Sequence, residues 1–128
     1  MGLEDKRFKK HLETETLPDI AKQLAEIAGT DIEIDIDWES FSTKESMQEI
    51  EHQVFGRVLE SMQAVAVDDI GREALQESMK SVSVKNLESK DNRSCTFEAG
   101  TLMLQTDWTD FWSIFSAEDI KGILEESL

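Results

Sequence analysis

Cysteine is almost missing from this sequence: Cys95 stands alone among 128 residues. That excludes an internal disulfide and any metal site built from several thiolates of one chain. Long apolar runs are missing as well, and no stretch approaches the roughly 20 residues that cross a bilayer as a helix. Residues 1–10 are polar and lack the apolar core of a signal peptide, so the expected location is the cytoplasm. Proline occurs once, at Pro18, and no Pro/Gly/Ser linker or internal repeat divides the chain. One domain over residues 1–128 is therefore expected. The catalytic and nucleotide-binding signatures with a fixed spacing are also absent: no GxGxxG, no GxxxxGK[ST], no HExxH, no GxSxG and no paired CxxC. No cofactor is implied by any motif.

What is present is negative charge. Asp and Glu total 28 against 13 Lys and Arg, a net charge of −15. A surface of that sign repels nucleic acid and anionic membranes and attracts basic proteins or cations. Neither nucleic acid nor membrane is an expected partner. The excess is local: residues 31–69 hold 11 acidic against 2 basic side chains, net −9, and residues 97–128 hold 7 against 1, net −6. With 39% hydrophobic and 32% charged residues the composition is that of a folded globular chain.

Apolar periodicity orders the elements. Residues 3–13 carry Leu3, Phe8 and Leu12 at a loose helical spacing. Thr16 and Asp19 have capping-box spacing with Pro18 in the first turn, and Ile20, Leu24 and Ile27 follow on one face until Gly29. Ser42 and Glu45 repeat that spacing before Met47, Ile50, Val54, Val58 and Met62, a long amphipathic helix widened by Phe55 and Leu59. Asp68 can cap a further helix through Ile70, Leu75 and Met79, in which Gly71 is a mild weakness. Val82 and Val84 begin a strand, Cys95 and Phe97 a second, and Leu102 and Leu104 a third, with Ala99-Gly100 as a hairpin turn. Ser116 and Asp119 cap a last helix lined by Ile120, Ile123, Leu124 and Leu128. The fold class is α+β: one two-layer domain in the order α-β-α-α-β-β-β-α. A mixed or antiparallel sheet of about four strands carries the helices on one face. The last three strands are expected as an antiparallel meander, with the first strand joined in parallel by a crossover.

The most regular feature is residues 31–39, Asp-Ile-Glu-Ile-Asp-Ile-Asp-Trp-Glu. Strict alternation belongs to a strand, which puts every second side chain on one face. Ile32, Ile34, Ile36 and Trp38 are expected to face the core, and Asp31, Glu33, Asp35, Asp37 and Glu39 to face away. Such a face serves solubility and discourages edge-to-edge association. It also suits a basic partner, in the manner of an inhibitor or immunity protein that covers a cationic site. A second candidate binding surface is Trp108, Phe111 and Trp112, which with Phe115 follow i, i+3, i+4, i+7 spacing. As a helix they form one stripe, either core or an interface rimmed by Asp107 and Asp110.

Other readings compete. Asp35, Asp37 and Glu39 supply hard oxygen ligands for Ca²⁺ or Mg²⁺, but a strand spaces them too widely to wrap one ion, so no metal site is expected. Glu49-x-x-His52 is half of a di-iron motif without its second copy, and His52 reads as an exposed helical histidine. His11 among Lys6, Arg7, Lys9 and Lys10 reads as a solvated basic helix surface. Cys95 reads as an inward-facing small hydrophobe. The alternative function is a small hydrolase or metal-dependent enzyme whose carboxylates come together from distant positions. A homodimer sealed by the aromatic cluster or a sheet edge is a third class. No catalytic residue is designated.

Overall fold

No helix begins at Thr16. The computed structural model describes residues 2–128, with the backbone alone for Lys90. In it α1 (Leu3–His11) runs without a break through a π-helical turn, Leu12–Thr16, into α2 (Leu17–Ala28). Thr16 has helical φ and ψ and makes no capping bond, and Asp19 accepts a hydrogen bond from Gln23 Nε2 at 3.0 Å instead. The π-turn hands the Leu17 amide to Leu12 O, and Pro18, which has no amide to offer, is carried in the first turn after it. Gly29 ends the run in the left-handed region at φ 73°.

Chain reversal then leads into β1 (Glu33–Ile36) and a 3₁₀ turn, Trp38–Ser40. The next helix begins one residue later than the capping-box spacing suggests: Thr43, not Ser42, accepts from the Ser46 amide. Glu45 closes no capping box, and a carboxylate from α1 takes another free amide of the first turn: Asp5 Oδ1 accepts from the Lys44 amide at 2.8 Å. From there α3 (Lys44–Glu49), a π-helical segment (Ile50–Gly56) and α4 (Arg57–Val65) form a second continuous run. Met47, Ile50, Val54, Phe55, Val58 and Met62 are all fully buried along it. Val54 and Phe55 lie inside the π segment and both face the core, as the i+3/i+4 positions of a wide apolar stripe do. Asp68 caps α5 (Asp69–Ser78) by accepting from the Gly71 amide at 2.8 Å.

The described residues form a four-stranded mixed sheet in the order β1-β2-β4-β3, from β2 (Ser81–Asn86), β3 (Ser94–Glu98) and β4 (Thr101–Thr106). β1 pairs in parallel with β2. The meander expected for the last three strands does not form. β4 inserts between β2 and β3, parallel to β2 and antiparallel to β3. The physical reason lies at the hairpin: Ala99 and Gly100 both take positive φ, the tight turn that matches strand twist, and Gly100 O then accepts from the Lys80 and Ser81 amides. That contact docks the start of β4, not of β3, against β2.

Alternation sorts the two faces of the sheet. Ile36, Val82, Val84, Leu102, Leu104 and Thr106 are buried beneath the helical layer. The opposite face is open and carries Glu33, Ser81, Thr101 and Glu98 in one row and Asp35, Ser83, Met103 and Thr96 in the next. α6 (Ala117–Ser127) closes the layer by packing on α4 and β3, with the Ser116/Asp119 capping box formed in both directions. Four helical runs and one sheet thus make a single two-layer α+β domain.

Candidate acidic edge and aromatic loop

β1 is an outer strand of the sheet, and its acidic side chains are the first candidate. Asp31, Glu33, Asp35, Asp37 and Glu39 are all exposed, so the alternation holds in burial over nine residues. It does not hold in conformation. Only Glu33 and Asp35 lie within the strand, Asp31 precedes it and Asp37 ends it. The cause is Ser40, whose hydroxyl and amide both donate to Asp37 O, at 2.6 and 3.0 Å, and close the 3₁₀ turn that carries Glu39. The Ser40 hydroxyl in turn accepts from the Asn86 amide at 2.9 Å, which fixes the turn to the end of β2. An unbroken five-carboxylate ladder is therefore corrected to a two-residue ladder with three flanking carboxylates. Among the described residues none of the five enters an ion pair.

The apolar side of β1 is not sealed. Ile32 and Ile36 are buried, whereas Ile34 and Trp38 are half-buried. Between β1 and the start of α2 lies a groove of about 320 Å³ lined by Glu13, Leu17, Pro18, Ala21, Ile34, Ile36 and Trp38, apolar but for the Glu13 carboxylate. At its end Lys9 Nζ sits 5.2 Å from the centre of the Trp38 ring.

The aromatic stretch divides. Trp108 is 2% exposed and Phe115 6%, and their rings meet edge to face at 6.2 Å. Trp108 Nε1 donates to Lys85 O at 2.9 Å. Trp108 is thus a core residue out of a partner's reach, which corrects its place among the binding candidates. Phe111 and Trp112 are 65% and 85% exposed and pack on each other at 5.6 Å. No single helical stripe exists because the aspartates hold their own backbone: Asp107 Oδ1 accepts from the Thr109 amide and hydroxyl, and Asp110 Oδ1 from the Trp112 amide. A short 3₁₀ turn, Phe111–Ser113, replaces the helix. Arg93 braces the loop, with its Nε donating to Ser113 O at 3.0 Å and its guanidinium 4.6 Å from the Phe115 ring centre.

The remaining candidates are separate from these surfaces and from one another. His52 is exposed and lies 3.6 Å from Glu51, not in a shared site with Glu49. His11 is exposed on α1. Among the described residues no three His, Cys, Asp or Glu side chains gather in a way that could hold a metal ion, and no carboxylate is buried. Cys95 opens onto a cleft of about 350 Å³ with Arg93, Phe115, Asp119 and Ile123. Burial pushes its thiol up to about 11, Asp119 adds to the rise and Arg93 opposes it. Such a thiol is protonated at neutral pH and a poor nucleophile. No described helix is long and apolar enough to cross a membrane.

Sequence reasoning missed the groove and the open ladder edge beside it. Pro18 was legible only as a first-turn helix residue, and nothing local in the sequence says that β1 is an outer strand. No family model, no curated protein and no solved structure matches this chain.

Proposed function

We propose that this chain is a non-catalytic protein-binding or accessory domain whose acidic edge takes a basic partner, as an inhibitor or immunity protein covers a cationic site. The observation that carries the reading is the run of exposed carboxylates at the sheet edge, Glu33 and Asp35 on the outer strand with Asp31, Asp37 and Glu39 flanking it, neutralised by no described cation. Solubility alone is served as well by a mixture of charges; an unrelieved block of one sign raises the local potential and steers oppositely charged partners. Exposed carboxylates, held in water, suit electrostatic attraction rather than proton transfer, which calls for groups drawn into a cleft.

Binding of an oligolysine probe at low salt tests this. The variant Glu33→Gln/Asp35→Asn/Asp37→Asn removes three charges at the edge, and Glu73→Gln/Glu77→Gln/Glu126→Gln removes three elsewhere. The edge variant is expected to bind about tenfold more weakly than the control variant, a difference that disappears as salt screens it. Equal weakening in both would reduce the effect to net charge and defeat the proposal.

A further inference from the structure

The free side of β1 has the shape of a place for a fifth strand. The Glu33 amide donates to Lys80 O at 3.0 Å and the Asp37 amide to Val84 O at 2.9 Å. In a parallel ladder that parity turns the peptide groups of residues 33, 35 and 37 toward β2, and those of Ile34 and Ile36 the other way. Among the described residues no backbone group bonds to Ile34 or Ile36 from that outer side. On one face of the edge stand Glu33 and Asp35; on the other lies the groove of Leu17, Pro18, Ala21, Ile34, Ile36 and Trp38, with Glu13 among its lining residues.

Resting on the basic-partner reading above, we infer that the partner binds by strand addition. An extended segment alternating basic and apolar residues pairs with β1, sets its apolar side chains in the groove and lays its cations on Glu33 and Asp35. Main-chain bonds supply the generic part of such binding and the alternate side chains its selectivity. Charge decides against the other natural occupant of an edge, a second copy of this chain. Two β1 strands side by side bring Glu33 and Asp35 of one against the same carboxylates of the other, and like charges across a strand pair repel.

The experiment uses the whole chain and two synthetic peptides of identical composition, one alternating lysine and valine, the other with its lysines in one block. Titration followed by amide exchange in NMR reads affinity and pairing together. The alternating peptide is expected to bind at least about tenfold more tightly than its isomer and to slow exchange at the Ile34 and Ile36 amides. Ile34→Pro, which deletes an outward donor without touching the β1–β2 ladder, is expected to cancel the preference. Should that variant unfold, backbone N-methylation of the alternating peptide tests the same point on the intact protein. Equal affinity of the two peptides with unchanged exchange at Ile34 and Ile36 overturns strand addition while leaving the charge-based reading standing. Failure of both peptides to bind at low salt overturns both.

Discussion

Trp108 and Trp112 lie four residues apart and have opposite roles. Trp108 fills the core and satisfies its indole N–H on Lys85 O, whereas Trp112 is 85% exposed. Trp108→Ala is expected to cost about 3–5 kcal/mol, the range for emptying a large buried ring position. Trp112→Ala is expected to stay within about 0.5 kcal/mol of wild type, as surface substitutions do. Urea unfolding followed by far-UV circular dichroism distinguishes them, and comparable losses would contradict the division. Cys95 makes a different prediction through its raised pKa. Its neutral form is favoured in the folded state, so that contribution is whole below about pH 9 and is lost as pH climbs toward about 11. Cys95→Ala removes this component, so the wild type should lose more stability than the variant between those two values. Parallel curves for the two proteins would contradict it. At this scale the sequence was informative about burial and poor about neighbours. The period-two alternation identified which isoleucines turn inward, but the i, i+3, i+4 spacing of the aromatics could not reveal that Asp107 and Asp110 would bind their own backbone.

Among the elements, the α4–α5 junction shows where propensity and packing disagree. Helix propensity alone ranks alanine above glycine by about 1 kcal/mol, which makes Gly71 a flaw in α5. A Cβ built there would stand 1.7 Å from Val65 O, so glycine is what permits the tight turn between α4 and α5. The packing term wins because the obstacle is backbone and must move as a unit. Gly71→Ala is expected to destabilise by about 1–3 kcal/mol. Gly122→Ala, with nothing within 4 Å of the new methyl, is expected to stabilise by up to about 1 kcal/mol. A gain at Gly71 in thermal or urea unfolding would contradict the close approach. Two of the four expected helix caps were legible: Asp68 and Ser116 form the bonds their positions imply. Thr16 and Ser42 do not, because each depends on a partner remote in sequence or on a helix continuing through the expected start. Asp5 reaches the Lys44 amide across 39 positions, and the π-turn at Leu12–Thr16 carries the helix past Thr16.

For the whole molecule, the class and the order of elements could be read from periodicity, and the strand neighbours could not. Val82, Val84, Leu102 and Leu104 read as buried strand residues in any arrangement, and local pattern is silent about which strand lies beside which. The same blindness hid the edge position of β1, on which the proposed binding surface depends. The inserted position of β4 also has a consequence for the order in which the fold can assemble. β2 has β1 on one side and β4 on the other, and β4 is separated from it by the whole of β3 and its hairpin. Until residues 101–106 leave the ribosome, β2 has only β1 paired beside it and its other edge is open. A nascent chain must therefore pass through a stage in which the backbone groups on the free side of β2 wait for a strand that is made two elements later.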